Sequence, residues 1–193
     1  MSTDKPARRR RDPVARVEEI AAATERVIAE RGIEGLTHRA VAAMAGMPLG
    51  ATTYHFATKD DLIEAALRRA VDRFAVYLED WRAANPRLDP GELVVALADS
   101  MMYTIEDQHD RNILESELYL AALRRPALRP IADRYTRLSY ETLLHYTDPD
   151  TAAAATAAMT GFSLQSVATS TPPARQEIET ILRRILTPNP ALS

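Results

Sequence analysis

The 193-residue chain contains no cysteine, which excludes disulfides, a thiol nucleophile and any cysteine-ligated zinc. Its four histidines, His38, His55, His109 and His145, stand at no metal-ligand spacing, so neither a metal nor another cofactor is expected. Glycine is scarce, six in all, and no glycine-rich phosphate loop is present. No apolar run reaches the roughly 20 residues that a spanning helix needs, and no signal peptide is recognisable. A membrane partner is therefore not expected, and the cytoplasm is the expected compartment. Runs that favour strands are absent as well.

What remains is rich in alanine and leucine, with 46% hydrophobic residues. That composition favours helices, and the expected fold class is all-α, with about nine helices. The chain is long enough for one large or two small domains with a sizeable core. Its net charge of −3 gives no hint of a polyanionic partner until the chain is divided. Residues 1–60 hold 10 Lys and Arg against 8 Asp and Glu, whereas residues 61–193 hold 14 against 19. Lys5, Arg8, Arg9, Arg10 and Arg11 concentrate positive charge at one end. Such an arm can follow phosphates or enter a minor groove, and the alternative is an ordinary solvated tail.

Asp12 and Pro13 form a helix start, a capping side chain followed by proline in the first turn. Val17, Ile20, Ala21, Thr24, Val27 and Ile28 then recur at three- and four-residue steps, an apolar stripe that Gly32 ends, with Ile33 placed for the accompanying hydrophobic contact. Thr58 and Asp61 resemble a capping box and open a long helix with the stripe Leu62, Ile63, Ala66, Leu67, Ala70, Val71, Phe74, Leu78 and Trp81, which Asn85 and Pro86 end. Asp89, Pro90 and Glu92 cap the next helix, which runs to about Asp107. Further helices are expected over residues 111–124, 127–146 and 151–169, and a last one from the Pro172–Pro173 pair to residue 186. The expected division is a flexible basic arm 1–11, a head 12–60, a helical domain 61–186 and a flexible tail 187–193.

The most informative segment is 37–62, THRAVAAMAGMPLGATTYHFATKDDL. Thr37 can cap a short helix, Val41 and Ala45 share one apolar face, and Ala42 is small enough for a second helix to cross closely. Gly46 can end that helix at positive φ, and Pro48 suits the first turn of the next, which continues from Gly50 through His55. Two short helices joined by a glycine turn are a DNA-reading device. Gly46, Gly50, Tyr54, His55, Phe56, Lys59 and Leu62 also match, in order and spacing, the helix-turn-helix of the tetracycline-repressor (TetR) family of bacterial transcription regulators. The segment resembles that family over about residues 12–65. Met47 replaces the usual valine, and Thr52 and Thr53 stand where a leucine and a tyrosine are usual.

Leu49, Gly50, Ala51, Thr53 and Tyr54 are the candidates to face DNA. None is Arg, Lys, Asn or Gln, the side chains that bond base edges bidentately, so this helix reads through shape and thymine methyls. By the resemblance, Arg39 stands where some relatives carry an arginine that reaches a guanine. Thr37, Thr53, Tyr54, His55 and Lys59 would hold phosphates, together with the arm residues Arg8 to Arg11. The competing reading is that Tyr54, His55 and Phe56 pack the head, and for Phe56 that reading is preferred.

Helical bundles place ligand cavities between facing helices. Trp81, Met101, Met102, Tyr103, His109, Glu117, Tyr119, Phe162 and Gln165 are the candidates to touch an effector, although any of them can equally be ordinary core or surface. Glu117 is expected inward between Leu114 and Leu118, where it needs a partner such as a cationic effector, Arg124 or a buried water. By the resemblance, the helices at 127–146 and 151–169 form a four-helix dimer interface. Ala152 to Ala155, Ala157, Ala158 and Gly161 permit close approach there, unless those alanines face the monomer's own core. The resemblance implies a homodimeric repressor on a roughly palindromic double-stranded operator, released by a small-molecule effector. The alternatives are a DNA-binding activator or architectural protein without an effector, or a helical small-molecule-binding protein or enzyme. No catalytic constellation is visible.

Overall fold

The computed structural model describes residues 13–187. The expected basic arm, Arg8 to Arg11, Asp12 and the tail beyond Thr187 lie outside the described residues. Among those residues all regular structure is helical: α1 Pro13–Arg31, α2 His38–Ala45, α3 Leu49–His55, α4 Lys59–Ala84, α5 Pro90–Glu106, α6 His109–Ala121, α7 Arg129–Leu143, α8 Pro149–Ala168 and α9 Arg175–Leu186, with one 3-10 turn at Pro126–Leu128. The chain divides into two compact units, residues 1–66 and 67–193, a few residues beyond the expected division at 60.

Several boundaries follow from local chemistry. The Thr58 amide donates to Asp61 Oδ2 at 2.9 Å and the Asp61 amide donates to Thr58 Oγ1 at 3.1 Å, the reciprocal box that starts α4. Asp89 and Glu92 repeat the device at α5, both bonds at 2.8 Å. Other ends differ from expectation. α6 stops at Ala121 because the chain turns ahead of Pro126, whose ring disfavours helix in the residue before it. α7 ends at Leu143 in a series of tight turns rather than at 146. α8 begins at Pro149, with Asp148 accepting from the Asp150 and Thr151 amides at 3.1 Å each, the same Asp-Pro start signal that Asp12 and Pro13 display.

In the first unit α1 packs on α2 and α2 on α3. Ile20, Ala21, Thr24, Val27 and Ile28 of the expected stripe are buried, while Val17 is 37% exposed. Each large aliphatic side chain buried this way contributes about 1.5–3 kcal/mol relative to exposure. Thr52, in the position where the family usually has leucine, is fully buried and donates its hydroxyl to the Leu49 carbonyl at 2.8 Å. Its one polar group is thus satisfied within its own helix.

The core of the second unit joins α5, α8 and α9 through Leu93, Val94, Leu97, Met101, Phe162, Ile178 and Leu182. The alanine-rich start of α8 splits between two sides: Ala152 and Ala155 are buried in this core, whereas Ala153, Ala154 and Ala157 are exposed. A polar clamp fixes α6 to α8. Buried Asn112 donates to Ser166 Oγ at 2.8 Å and to the Ser163 carbonyl at 3.3 Å, and the Ser163 hydroxyl donates back to Asn112 Oδ1.

Candidate nucleic-acid interface and ligand cavity

In the first unit, local geometry presents one face of α3. Thr37 caps α2, its hydroxyl accepting from the Ala40 amide at 3.1 Å. Gly46 ends α2 at φ 62°, the left-handed region where a side chain would be strained. Pro48 sits one position ahead of α3, in extended geometry with φ −60° and ψ 143°, rather than within its first turn. Arg26 Nη2 donates to the Met44 carbonyl at 3.2 Å and ties α1 to the end of α2.

The resulting exposure is selective. Thr37, Arg39, Leu49, Gly50, Thr53 and Tyr54 are exposed, Tyr54 to 84%, while Ala51, His55 and Lys59 are half-buried. Leu49, Gly50, Thr53 and Tyr54 share one side of α3 by helical spacing. Phe56 is 8% exposed and seals the core, as preferred from sequence, whereas Tyr54 stays exposed and makes a T-shaped contact with His55, ring centroids 5.1 Å apart. A Cβ built on Gly50 would meet nothing within 4 Å, so the head's own packing does not require glycine there. The Asp61 carboxyl is held below its ordinary value by the hydrogen bond from the Thr58 amide above all.

The second unit contains a cleft enclosing about 900 Å³ of atom-free space, part of it open to solvent. α4 contributes Phe74, Tyr77, Leu78 and Trp81 to its wall, α5 contributes Leu97, Ser100, Met101 and Thr104, and α6 contributes Glu115, Ser116 and Tyr119. The remaining wall comes from Tyr135, Ser139, Thr142 and Leu143 of α7 and from Thr156, Met159, Thr160, Ser163 and Leu164 of α8. Phe74 stacks on Tyr135 with centroids 4.2 Å apart, and the Tyr77 and Ser100 hydroxyls share a 2.6 Å hydrogen bond. Among the described lining residues Glu115 is the one charged side chain. Its Oε1 accepts from Arg111 Nε at 2.7 Å and its Oε2 from the Tyr135 hydroxyl at 3.3 Å. Burial and the neighbouring Glu115 charge hold the Tyr135 hydroxyl well above the usual tyrosine range, so it remains a donor.

Of the residues singled out from sequence, Trp81, Met101 and Tyr119 line the cleft, and Tyr103 lines a smaller chamber beside it. Met102 and Phe162 pack with the core instead. His109 and Gln165 are exposed and line neither space. Glu117 is half-buried and also lines neither, so the inward carboxylate of α6 is Glu115, two positions earlier. Sequence reasoning passed over Glu115, Tyr77 and Tyr135 and read Phe74 only as core. The available signal was the Arg111 and Glu115 pair at i,i+4, together with serine and threonine on helix faces that otherwise read as core. No cluster of three metal-ligating side chains occurs among the described residues.

Residues 20–66 match the sequence profile described as bacterial regulatory proteins, tetR family, and residues 88–188 match that of the tetracyclin repressor-like C-terminal domain. The HTH-type transcriptional regulator PksA of Bacillus subtilis (strain 168) is 34% identical over 110 residues, which are 57% of this chain and 51% of PksA. The chain thus spans about half the length of that curated relative. Among solved structures, the Streptomyces coelicolor A3(2) protein SCO7518 superposes with a TM-score of 0.78 at 34% identity, over 89% of this chain and 98% of that one. The multidrug binding protein EbrR in complex with ethidium gives a TM-score of 0.77 at 45% identity, over 88% of this chain and 98% of that one. EbrR is also similar in its complexes with imidazole, proflavin and malachite green.

Proposed function

Because the chain belongs to the TetR family of bacterial regulatory proteins, we propose that it is a DNA-binding transcriptional repressor released from its operator by an aromatic cation bound in the second unit. The first unit supplies the DNA contact. Leu49, Gly50, Ala51, Thr53 and Tyr54 meet the major groove through shape and methyl contacts, Arg39 supplies the polar base contact, and Thr37, His55 and Lys59 hold phosphates. Gly50 fits this role because its backbone is open to close approach. Two such heads on a homodimer meet half-sites about 34 Å apart on a roughly palindromic operator. The exposed Ala153, Ala154 and Ala157 support α8 as one helix of the dimer contact, with α7 beside it. Its place of action is the cytoplasm, where the DNA lies. No helix among the described residues is long and apolar enough to cross a membrane.

The observation that carries the ligand class is Glu115, the one charged side chain among the described residues that line a cleft walled by Phe74, Tyr119 and Tyr135. Ethidium, proflavin and malachite green, which EbrR binds, are conjugated aromatic cations. A carboxylate shielded from water attracts such a cation far more strongly than one in bulk solvent, and stacked rings add dispersion and cation–π attraction. α4 carries residues of both units, so a ligand that binds better to one placement of α4 shifts the population of head arrangements. Only that difference in affinity can lower the affinity for DNA.

The test begins with genomic footprinting to find the operator, followed by fluorescence anisotropy of the labelled duplex with and without malachite green. Release should track occupancy of the protein by the dye. Ser139→Trp, which fills the cleft, should abolish release and so separate a protein effect from binding of the dye to DNA. Unchanged DNA affinity at saturating dye, or identical responses of the wild type and Ser139→Trp, would sink the proposal.

A further inference from the structure

Arg111 and Glu115 lie one turn apart on α6, and their bond is short at 2.7 Å with side chains 29% and 12% exposed. An exposed pair of this spacing adds little to the stability of a helix. This pair is placed differently. Beside the main cleft lies a second chamber of about 360 Å³, lined by Tyr103, Gln108, Arg111 and Asn112 and sharing Phe74, Tyr77, Thr104, Glu115 and Tyr135 with the cleft. Arg111 lines the second chamber alone, whereas Glu115 lines both. The carboxylate is therefore held from one side by the guanidinium while it borders the cleft on the other. Burial works against the Arg111 charge, but attraction to Glu115 and the hydrogen bond to it outweigh that cost and raise its pKa above the ordinary arginine value.

We infer that Arg111 sets the charge selectivity of the cleft by acting as an internal counter-cation, which an incoming cationic ligand must displace from Glu115 or share it with. The inference rests on the reading of the cleft as a ligand site. A carboxylate already neutralised has less attraction left for a ligand cation, so Arg111 holds down affinity for cations and leaves neutral aromatics unaffected. Tyr135 keeps its bond to Oε2 in either state and positions the carboxylate.

The experiment uses the full-length protein and two probes with the same three-ring skeleton, cationic proflavin and neutral acridone, titrated by fluorescence. Arg111→Gln should tighten proflavin by about tenfold, the size of one charge-assisted hydrogen bond, with acridone changed by less than about twofold. Glu115→Gln should weaken proflavin selectively, and Arg111→Lys, which keeps the charge, should stay close to the wild-type ratio of the two affinities. Equal shifts for both probes in Arg111→Gln, or no shift, overturn the inference while leaving the cleft as a ligand site. Failure of both probes to bind the wild type overturns the cleft reading and the inference with it. If Arg111→Gln loses its helical circular dichroism, Glu115→Gln carries the test, and equal losses for both probes then overturn the inference.

Discussion

Phe74 of α4 and Tyr135 of α7 stack at 4.2 Å between centroids, with planes 19° apart, in the wall of the cleft. The pair joins the helix that carries residues of both units to the helix whose tyrosine hydroxyl reaches Glu115. Removing the ring with Phe74→Ala should weaken malachite green by up to about tenfold, the value of one aromatic pair beyond its area. It should also reduce the dye's effect on DNA affinity by more than the loss of dye binding accounts for. Direct dye titration beside operator anisotropy checks both; a full effect on DNA at saturating dye would remove the stack from the coupling.

Gly50 is exposed, helical and unopposed by any atom within 4 Å of a built Cβ. Gly50→Ala should leave the fold intact and raise its stability by about 0.5 kcal/mol, since alanine loses less backbone entropy. Operator affinity should nevertheless fall, because in the proposed docking the added methyl meets the DNA. Thermal unfolding and anisotropy measured together decide it, and unchanged affinity would take Gly50 out of the interface.

Arg39 and Lys59 should part company on DNA. Arg39→Ala should relax base preference, losing about 1–3 kcal/mol on the operator and little on scrambled duplex. Lys59→Ala should weaken both duplexes evenly and lower the slope of log K against log salt by about 1. Salt titrations on the two duplexes distinguish them, and equal losses for Arg39→Ala would end its role as a base reader.

Asn112 joins α6 to α8 with its whole amide engaged. Asn112→Ala should cost about 1–3 kcal/mol in urea unfolding, since it takes the acceptor from the half-buried Ser163 hydroxyl and a donor from buried Ser166 Oγ, which keeps its own bond to the Ser163 carbonyl. Asn112→Ala with Ser163→Ala and Ser166→Ala together should recover part of that loss. No recovery would mean that the cost is lost packing rather than unsatisfied polarity.

Asp61 has a lowered pKa in the folded state, chiefly through the Thr58 amide. The sign follows from linkage: the ionised form is favoured by folding, so its contribution is complete above the ordinary carboxylate value of 3.8 and is lost as pH falls through the lower folded value. Asp61→Asn should therefore be less stable than the wild type at neutral pH, with the gap closing on acidification below that value. Chemical unfolding at a series of pH values tests this, and a gap independent of pH would refute it.

The start and end of most helices were legible because the causes are local. Thr37, Gly46, Thr58 and Asp89 act on amides or torsions within a few residues, and each behaves in the structure as its neighbours predict. The start of α8 was equally local, written in Asp148 and Pro149, but the reading there placed the helix two residues late. The alanines at 152–158 were a different case. Composition assigned them to a helix, yet which of them face inward depends on α5 and α9, and the run proved to serve both sides.

The carboxylate of the cleft shows the same limit most clearly. Sequence pattern favours Glu117, because Leu114 and Leu118 flank it and mark a buried face of α6. The buried face in fact includes the polar Asn112 and Ser116 as well, and Asn112 is matched by serines more than fifty positions away on α8. A polar residue reads as exposed until its partner is known, so the register of that face was hidden in the sequence. By itself the sequence determined the all-α class, the capped helix-turn-helix and the family, since these rest on short-range hydrogen bonds and spacing. Tertiary structure alone decided that Glu115 stands at the cleft wall with Phe74 and Tyr135 while Arg111 holds it from the adjoining chamber, because burial of a polar side chain depends on the distant groups that satisfy it.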